Sequence, residues 1–299
     1  MNQIPQQIRK SPFRKLEFCF FLLPALLLYG VFVLTPVGQS IHNSFFYWKS
    51  PLLKAEFCGL ENFRLLLSDR IFWLALRNNA FLLLGSLLIQ LPIALGIALL
   101  LNYPTRGRAL FRTAFFTPMI IPTAAIAVLW QYLYEPQNGI FTALVRCFNP
   151  DFSYAWLASP STSMIWIFVT ICWQFIGFHT VLFMAGLATI PEELYEAARL
   201  DGASELQLCR RIILPCLKPI CAVAATLSII GSLKYFDLVY LMGAGLPETS
   251  REVLATYVYR LAFDENQGRY GYGSAVAVLL FLLALLIVTP LQLRKPDPQ

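Results

Sequence analysis

Apolar residues in this chain gather into long runs rather than alternating along it. Segments 18–38, 80–101, 114–133, 164–188, 216–233 and 275–290 are strongly apolar, and Lys218 is the only Asp, Glu, Lys or Arg within them. A bilayer hydrocarbon core is ~30 Å thick, so a crossing helix needs roughly 20 apolar residues, within a range of about 17–25. Each segment meets that length or comes near it. Helix is the predicted conformation, because a single helix satisfies its own backbone polar groups in lipid. Alternating strands of about ten residues, as in a membrane barrel, are absent. The pattern predicts an all-α polytopic membrane protein with six transmembrane helices over 18–290, flanked by segments 1–17 and 291–299.

Composition agrees: 58% of the 299 residues are hydrophobic and 13% charged, where a soluble domain carries about a quarter charged. The distribution of Lys and Arg then sets an orientation. With the amino terminus in the cytoplasm, segments 1–17, 102–113, 189–218 and 291–299 lie inside and hold 13 of the 23 basic residues. The outside segments are longer in total and hold the other 10. The net charge of +6 thus reads as a topology signal, and nucleic acid is not an expected partner. Arg9, Lys10, Arg14 and Lys15 precede the first run as in a signal peptide, but no small-residue cleavage site follows, so the run reads as a retained span. Seven cysteines without a C-x-x-C pair and two histidines predict packing roles and no metal site. No catalytic residue is expected.

The predicted inner loop 189–218 has a different character. Thr189 and Glu192 are spaced as a capping box with Pro191 in the first turn. Leu194, Ala197, Ala198 and Leu200 give a narrow apolar face, and Gly202 stands where a helix ends in left-handed geometry. Ser204 and Gln207 repeat the start signal, and Pro215 is expected to stop the second helix. Glu192, Glu193, Glu196, Asp201 and Glu205 make this projection acidic, unlike helices that lie on a membrane surface, whose polar faces are usually basic.

Glu196-Ala-Ala-x₃-Gly202-x₉-Ile212-x-Leu214-Pro215 resembles the EAA loop of the permease subunits of ABC importers. The resemblance extends along nearly the whole chain and narrows to permeases of carbohydrate importers. It is carried by Arg106–Pro122, Trp173–Phe178, Gly186–Tyr195, Tyr257–Phe263 and Tyr270–Ala275, while Gly243-Ala-Gly-Leu-Pro247 departs from the Thr-x-Gly-Gly-Pro common in that family. The resemblance implies a type I ABC importer permease fold in a bacterial or archaeal cytoplasmic membrane. It further implies that Glu196, Ala197, Ala198, Asp201, Gly202, Ile212, Leu214 and Pro215 form the coupling element for an ATPase. The implied partners are a second, homologous permease, two ATP-binding subunits, an extracytoplasmic solute-binding protein and a sugar-like solute, with membrane lipid around the spans. No cofactor is expected on this chain. It has no G-x-x-x-x-G-K-[ST] phosphate loop, so ATP and Mg²⁺ fall to a partner subunit.

Polar residues within spans mark where a solute could pass. Ser228, Ser232 and Tyr235 share one helical face, with Gly231 beside them, and the fourth run offers Trp173, Gln174 and Gly177. In maltose permeases, which the fifth run resembles, the equivalent stretch contacts sugar. Small hydroxyl residues also suit helix packing, and both readings stay open. So do an importer permease for a non-sugar solute (a polyol phosphate, polyamine or amino acid) and a secondary transporter, although intramembrane carboxylates and inverted repeats are absent. The topology is directly testable: reporter fusions at Gln299 and near Gly107 are expected inside, and those near Lys54, Arg146 and Gln267 outside. An outside signal at the carboxyl terminus would defeat the six-span count.

Overall fold

The computed structural model describes residues 12–50, 52–102, 107–243, 249–263 and 268–293. Arg9, Lys10, Arg106, residues 244–247 of the outer loop and the tail beyond 293 lie outside these. Five helices are long and apolar enough to cross a membrane: Phe20–Asn43, Arg70–Asn102, Ser163–Leu187, Lys218–Gly243 and Tyr270–Leu291. A sixth span is the bent pair Ala109–Ile120 and Thr123–Leu133, third in chain order. The six-span helical fold predicted from the apolar runs is the one observed, with a two-residue hairpin (Phe46–Tyr47 against Glu56–Phe57) in the first connection.

The span boundaries differ from the hydropathy runs for local reasons. The second span begins at Arg70, ten residues earlier than the run, because Asp69 caps it by accepting from the amides of Ile71 (2.8 Å) and Phe72 (3.4 Å). Arg77, Asn78 and Asn79 had hidden this first part from a hydropathy reading. At 33 residues the helix is about 50 Å long and outreaches the hydrocarbon layer. The fifth span continues past Leu233 but is interrupted at Tyr235 and Phe236, between helices Lys218–Lys234 and Asp237–Gly243.

Prolines shape the helices in two ways. At Pro36, Pro92 and Pro215 the helix widens just before the ring. The residue ahead of each proline donates five residues back: Thr35 to Gly30, Leu91 to Ser86 and Leu214 to Cys209. A wide turn of this kind relieves the clash between the ring and the carbonyl four residues earlier. Pro215 therefore does not stop its helix as expected; the helix runs on to Cys216. In the third span Pro118 is accommodated within Ala109–Ile120, whereas Pro122 forces Ile121 into extended geometry (ψ 134°) and the two halves meet at 100°.

Three apolar clusters hold the bundle. One gathers Leu101, Leu187, Ala198, Leu208, Ile213 and Leu217 beneath the 189–218 loop. At the opposite end, Phe72, Ala75, Leu254, Tyr257, Tyr272 and Val276 join the starts of the second and sixth spans to helix Leu254–Phe263. Trp130, Tyr134, Trp156, Phe168 and Met242 form an aromatic-rich core where the third, fourth and fifth spans meet. Buried amides stitch the layers. Asn79 donates to the Ser232 carbonyl (2.9 Å) and accepts from the Leu254 amide (2.8 Å), while Asn78 donates to the carbonyls of Ser250 and Glu252 at 2.8 Å each. Asp69 completes the opposite end by accepting from the hydroxyls of Tyr257 and Tyr272.

Partial burial would raise the Asp69 carboxyl, but hydrogen bonds from Tyr257, Tyr272 and the two cap amides outweigh it and hold the group below its ordinary value. Its contribution to stability is therefore complete above pH ~4 and lost as pH falls through the lowered value. Asp69→Asn, which keeps the cap, is expected to lower the thermal midpoint in detergent at pH 7 and to flatten this acid limb. Asp69→Ala should cost about 1 kcal/mol more through the lost cap. A midpoint and acid limb equal to wild type in both variants would remove Asp69 from the tie.

Candidate functional site

The 189–218 loop is built as a braced projection. Its first helix spans Glu192–Leu200. The predicted Thr189 and Glu192 capping box is not formed: Thr189 donates instead to the Gly186 carbonyl (2.7 Å), and Pro191 precedes the first helical residue without a side-chain cap. The end is as predicted. Gly202 has φ +75°, its amide bonds the Arg199 carbonyl (3.1 Å) and the Ala203 amide bonds that of Ala198 (2.9 Å), a pair of bonds that closes a helix on a left-handed residue. The Ser204 and Gln207 capping box is present in both halves.

The projection divides its expected coupling residues between inside and outside. Ala198 is 8% exposed and packs with Leu208 and Ile213 against Leu101, Leu187 and Leu217. It serves the brace rather than an external surface, which corrects the expectation of an open small-residue face through it. Ile212 and Leu214 are half-buried. Glu196, Ala197, Asp201, Gly202 and Pro215 are exposed, and Gly202 faces open space. The most exposed apolar side chains of the projection are Leu200 (88%), which helical spacing had placed on the apolar face, and Leu206 (69%), which the sequence reading did not single out. Behind the first helix lies a cavity of about 420 Å³ lined by Asn102, Glu192, Tyr195, Glu196, Arg199 and Glu205, among others. Burial pushes the Tyr195 phenol up.

The solute-path candidates are placed less uniformly. Ser228, Gly231, Ser232 and Tyr235 do not form one open face. Ser232 is fully buried with its hydroxyl 3.5 Å from that of Ser86 in the second span, and Ser228 is 6% exposed. Gly231 borders open space. Gly177 is a contact point: a Cβ there would lie 1.8 Å from the Phe115 carbonyl oxygen of the third span. Trp173 stands edge-on to Trp130 at 5.5 Å, within the aromatic core. These placements share one cause, since small and aromatic residues in a bundle are first used for close packing.

Gln174 and Tyr235 do come together. They line a small pocket of about 80 Å³ with Thr123, Phe175, Lys234, Phe236, Asp237 and Leu238. The pocket sits where two interrupted spans meet: Thr123 begins the second half of the third span, and Asp237 begins the second half of the fifth. Gln131 ties those halves by donating to the Leu241 carbonyl (2.9 Å). Gln174 is 2% exposed; its amide nitrogen reaches Thr123 at 3.5 Å, and its carbonyl oxygen has no partner. Interrupted helices with a buried, unanswered acceptor suit a polar solute at mid-membrane. Of these lining residues, the sequence reading had only Gln174 and Tyr235 among its solute-path candidates.

The family profile of the binding-protein-dependent transport system inner membrane component matches residues 71–295. A probable ABC transporter permease protein of Pyrococcus horikoshii is 36% identical over 271 residues, covering 90% of this chain and 92% of that one. The trehalose/maltose transport system permease protein of Thermococcus litoralis is 33% identical, covering 88% of each. The crystal structure of a bacterial ABC transporter involved in importing the acidic polysaccharide alginate superposes with a TM-score of 0.81 at 26% identity, covering 93% of this chain and 94% of that one. The chain belongs to the family of binding-protein-dependent transport system inner membrane components. It is a multi-pass ABC importer permease with the type I permease fold.

Packing and path make opposite demands at two neighbouring positions. Gly177→Leu is expected to reduce the yield of folded permease several-fold, because the added atoms meet backbone rather than a movable side chain. Gln174→Leu should insert and fold normally but alter transport. Equal yields of the two variants would contradict the assignment of Gly177 to packing.

Proposed function

We propose that this chain is the permease half of a sugar importer, pairing with a second permease and two ATP-binding subunits and receiving solute from an extracytoplasmic binding protein. The observation that carries the reading is the braced projection at 192–217, whose exposed tip packs against nothing else among the described residues of this chain. Exposed Leu200, Leu206, Ala197 and Gly202 give an apolar tip ringed by Glu193, Asp201 and Glu205, suited to a groove on the ATP-binding subunit. That subunit binds ATP with Mg²⁺ and hydrolyses the ATP. Both termini and the projection face the cytoplasm, as the Lys/Arg distribution indicates. The sugar class is supported by the trehalose/maltose and alginate systems among the relatives, and by the pocket at Gln174, which offers a polar acceptor between aromatic rings.

Because Gly202 has positive φ and open space around it, strain and bulk can be separated. Gly202→Ala strains the turn by about 1 kcal/mol without adding reach. Gly202→Trp places an indole on the proposed docking tip. In the reconstituted complex, Gly202→Ala is expected to retain most saccharide uptake, and Gly202→Trp to lose it while remaining inserted. Wild-type uptake by Gly202→Trp would remove the coupling assignment.

A further inference from the structure

Outside the pocket, a row of aromatic rings lies on the end of the bundle opposite the projection. Phe236, itself in the pocket wall, stacks on Tyr240 at 5.1 Å with the planes 12° apart. Tyr259, on helix Leu254–Phe263, lies 5.3 Å from Phe236 and 5.1 Å from Tyr240, and Phe263 follows it at 4.9 Å. The last three rings are exposed: Tyr240 41%, Tyr259 38% and Phe263 67%. An aromatic belt at a membrane surface scatters rings around the perimeter, whereas these four touch in sequence and end at the pocket holding the unanswered Gln174 oxygen.

We propose that Phe236, Tyr240, Tyr259 and Phe263 form a stacking track that hands saccharide rings into the Gln174 pocket; this rests on the sugar-importer reading above. The C–H faces of a pyranose are apolar while its hydroxyls stay hydrated, so a ring face binds one side of the sugar and leaves the rest in water. Tyr240 and Tyr259 add a hydroxyl at each ring's edge. Contacts about 5 Å apart and alike in strength hold a sugar without trapping it, since moving to the next ring exchanges one stacking contact for another. Tyr240 and Tyr259 belong to different elements of the chain, so the track spans the junction between the broken fifth span and the outer helix.

The test uses the complete importer in proteoliposomes, with maltose, trehalose, lactose and xylose as probes. Tyr240→Ala, Tyr259→Ala and Phe263→Ala should each raise the KM for a transported saccharide about three- to tenfold, the worth of one aromatic contact, while the subunits co-purify as in wild type. Tyr259→Phe and Tyr259→Trp should restore KM, because the ring face is kept. Unchanged KM in all three alanine variants, with wild type transporting a saccharide, overturns the track and leaves the sugar reading standing. Loss of co-purification in the alanine variants overturns it in favour of a subunit contact. Failure of the wild-type complex to transport any of the four overturns the sugar reading and the track together.

Discussion

A backbone carbonyl that loses its donor inside lipid has no water to turn to, yet this chain carries 19 prolines, several within its spans. Much of its architecture answers that constraint. At Pro36, Pro92 and Pro215 the helix opens by one residue just before the ring and runs on past it. Where a proline falls at Pro122, the helix gives up its continuity and turns by 100°. That break meets a second interruption in the fifth span, and residues beside both breaks, Thr123 on one and Lys234 to Leu238 on the other, line a shared pocket. The candidate solute site is thus a by-product of how the breaks are accommodated.

The projection at the other end is rigid for a different reason. Ala198, Leu208 and Ile213 fix it to Leu101, Leu187 and Leu217, the ends of the second and fourth spans and the residue just before the fifth. Gly186 lets the fourth span approach the fifth until an added Cβ would sit 2.8–2.9 Å from Ile220 and Leu217. A displacement imposed on the exposed tip therefore moves three spans together, two of which carry pocket residues or their immediate packing partners. The coupling proposed above needs no soft joint over that distance, only a bundle stiff enough to move as a body.

The fold class and the helical build of the 189–218 projection were legible because each rests on short-range patterns: uncharged runs of span length, Gly202 at a helix end, Ser204 paired with Gln207. The interruption at Tyr235 and Phe236 was not, since neither proline nor glycine announces it, and Asp237 as the start of a new helix reads equally well as an interfacial charge. Ser228 and Ser232 illustrate the limit of helical spacing, which puts residues on one face without saying what faces them; here it is Ser86 and its neighbours. Asn78, Asn79 and Asp69 were missed because each is defined by partners more than 150 residues away.

Those distant partners bear on the order in which the protein comes into being. Asp69 lies 188 residues before Tyr257 and 203 before Tyr272, and Asn79 lies 175 before Leu254. A chain synthesised from its amino terminus therefore inserts its second span with an acceptor carboxylate and two amides still unanswered. Asn79 gains Ser232 first, Asn78 then gains Ser250 and Glu252, and Asp69 waits longest, for Tyr257 and Tyr272. The final helical hairpin completes the set: a product cut short before residue 250 lacks both carbonyl partners of Asn78, the Leu254 amide for Asn79 and both hydroxyls for Asp69, and carries that deficit as a mark of incompleteness.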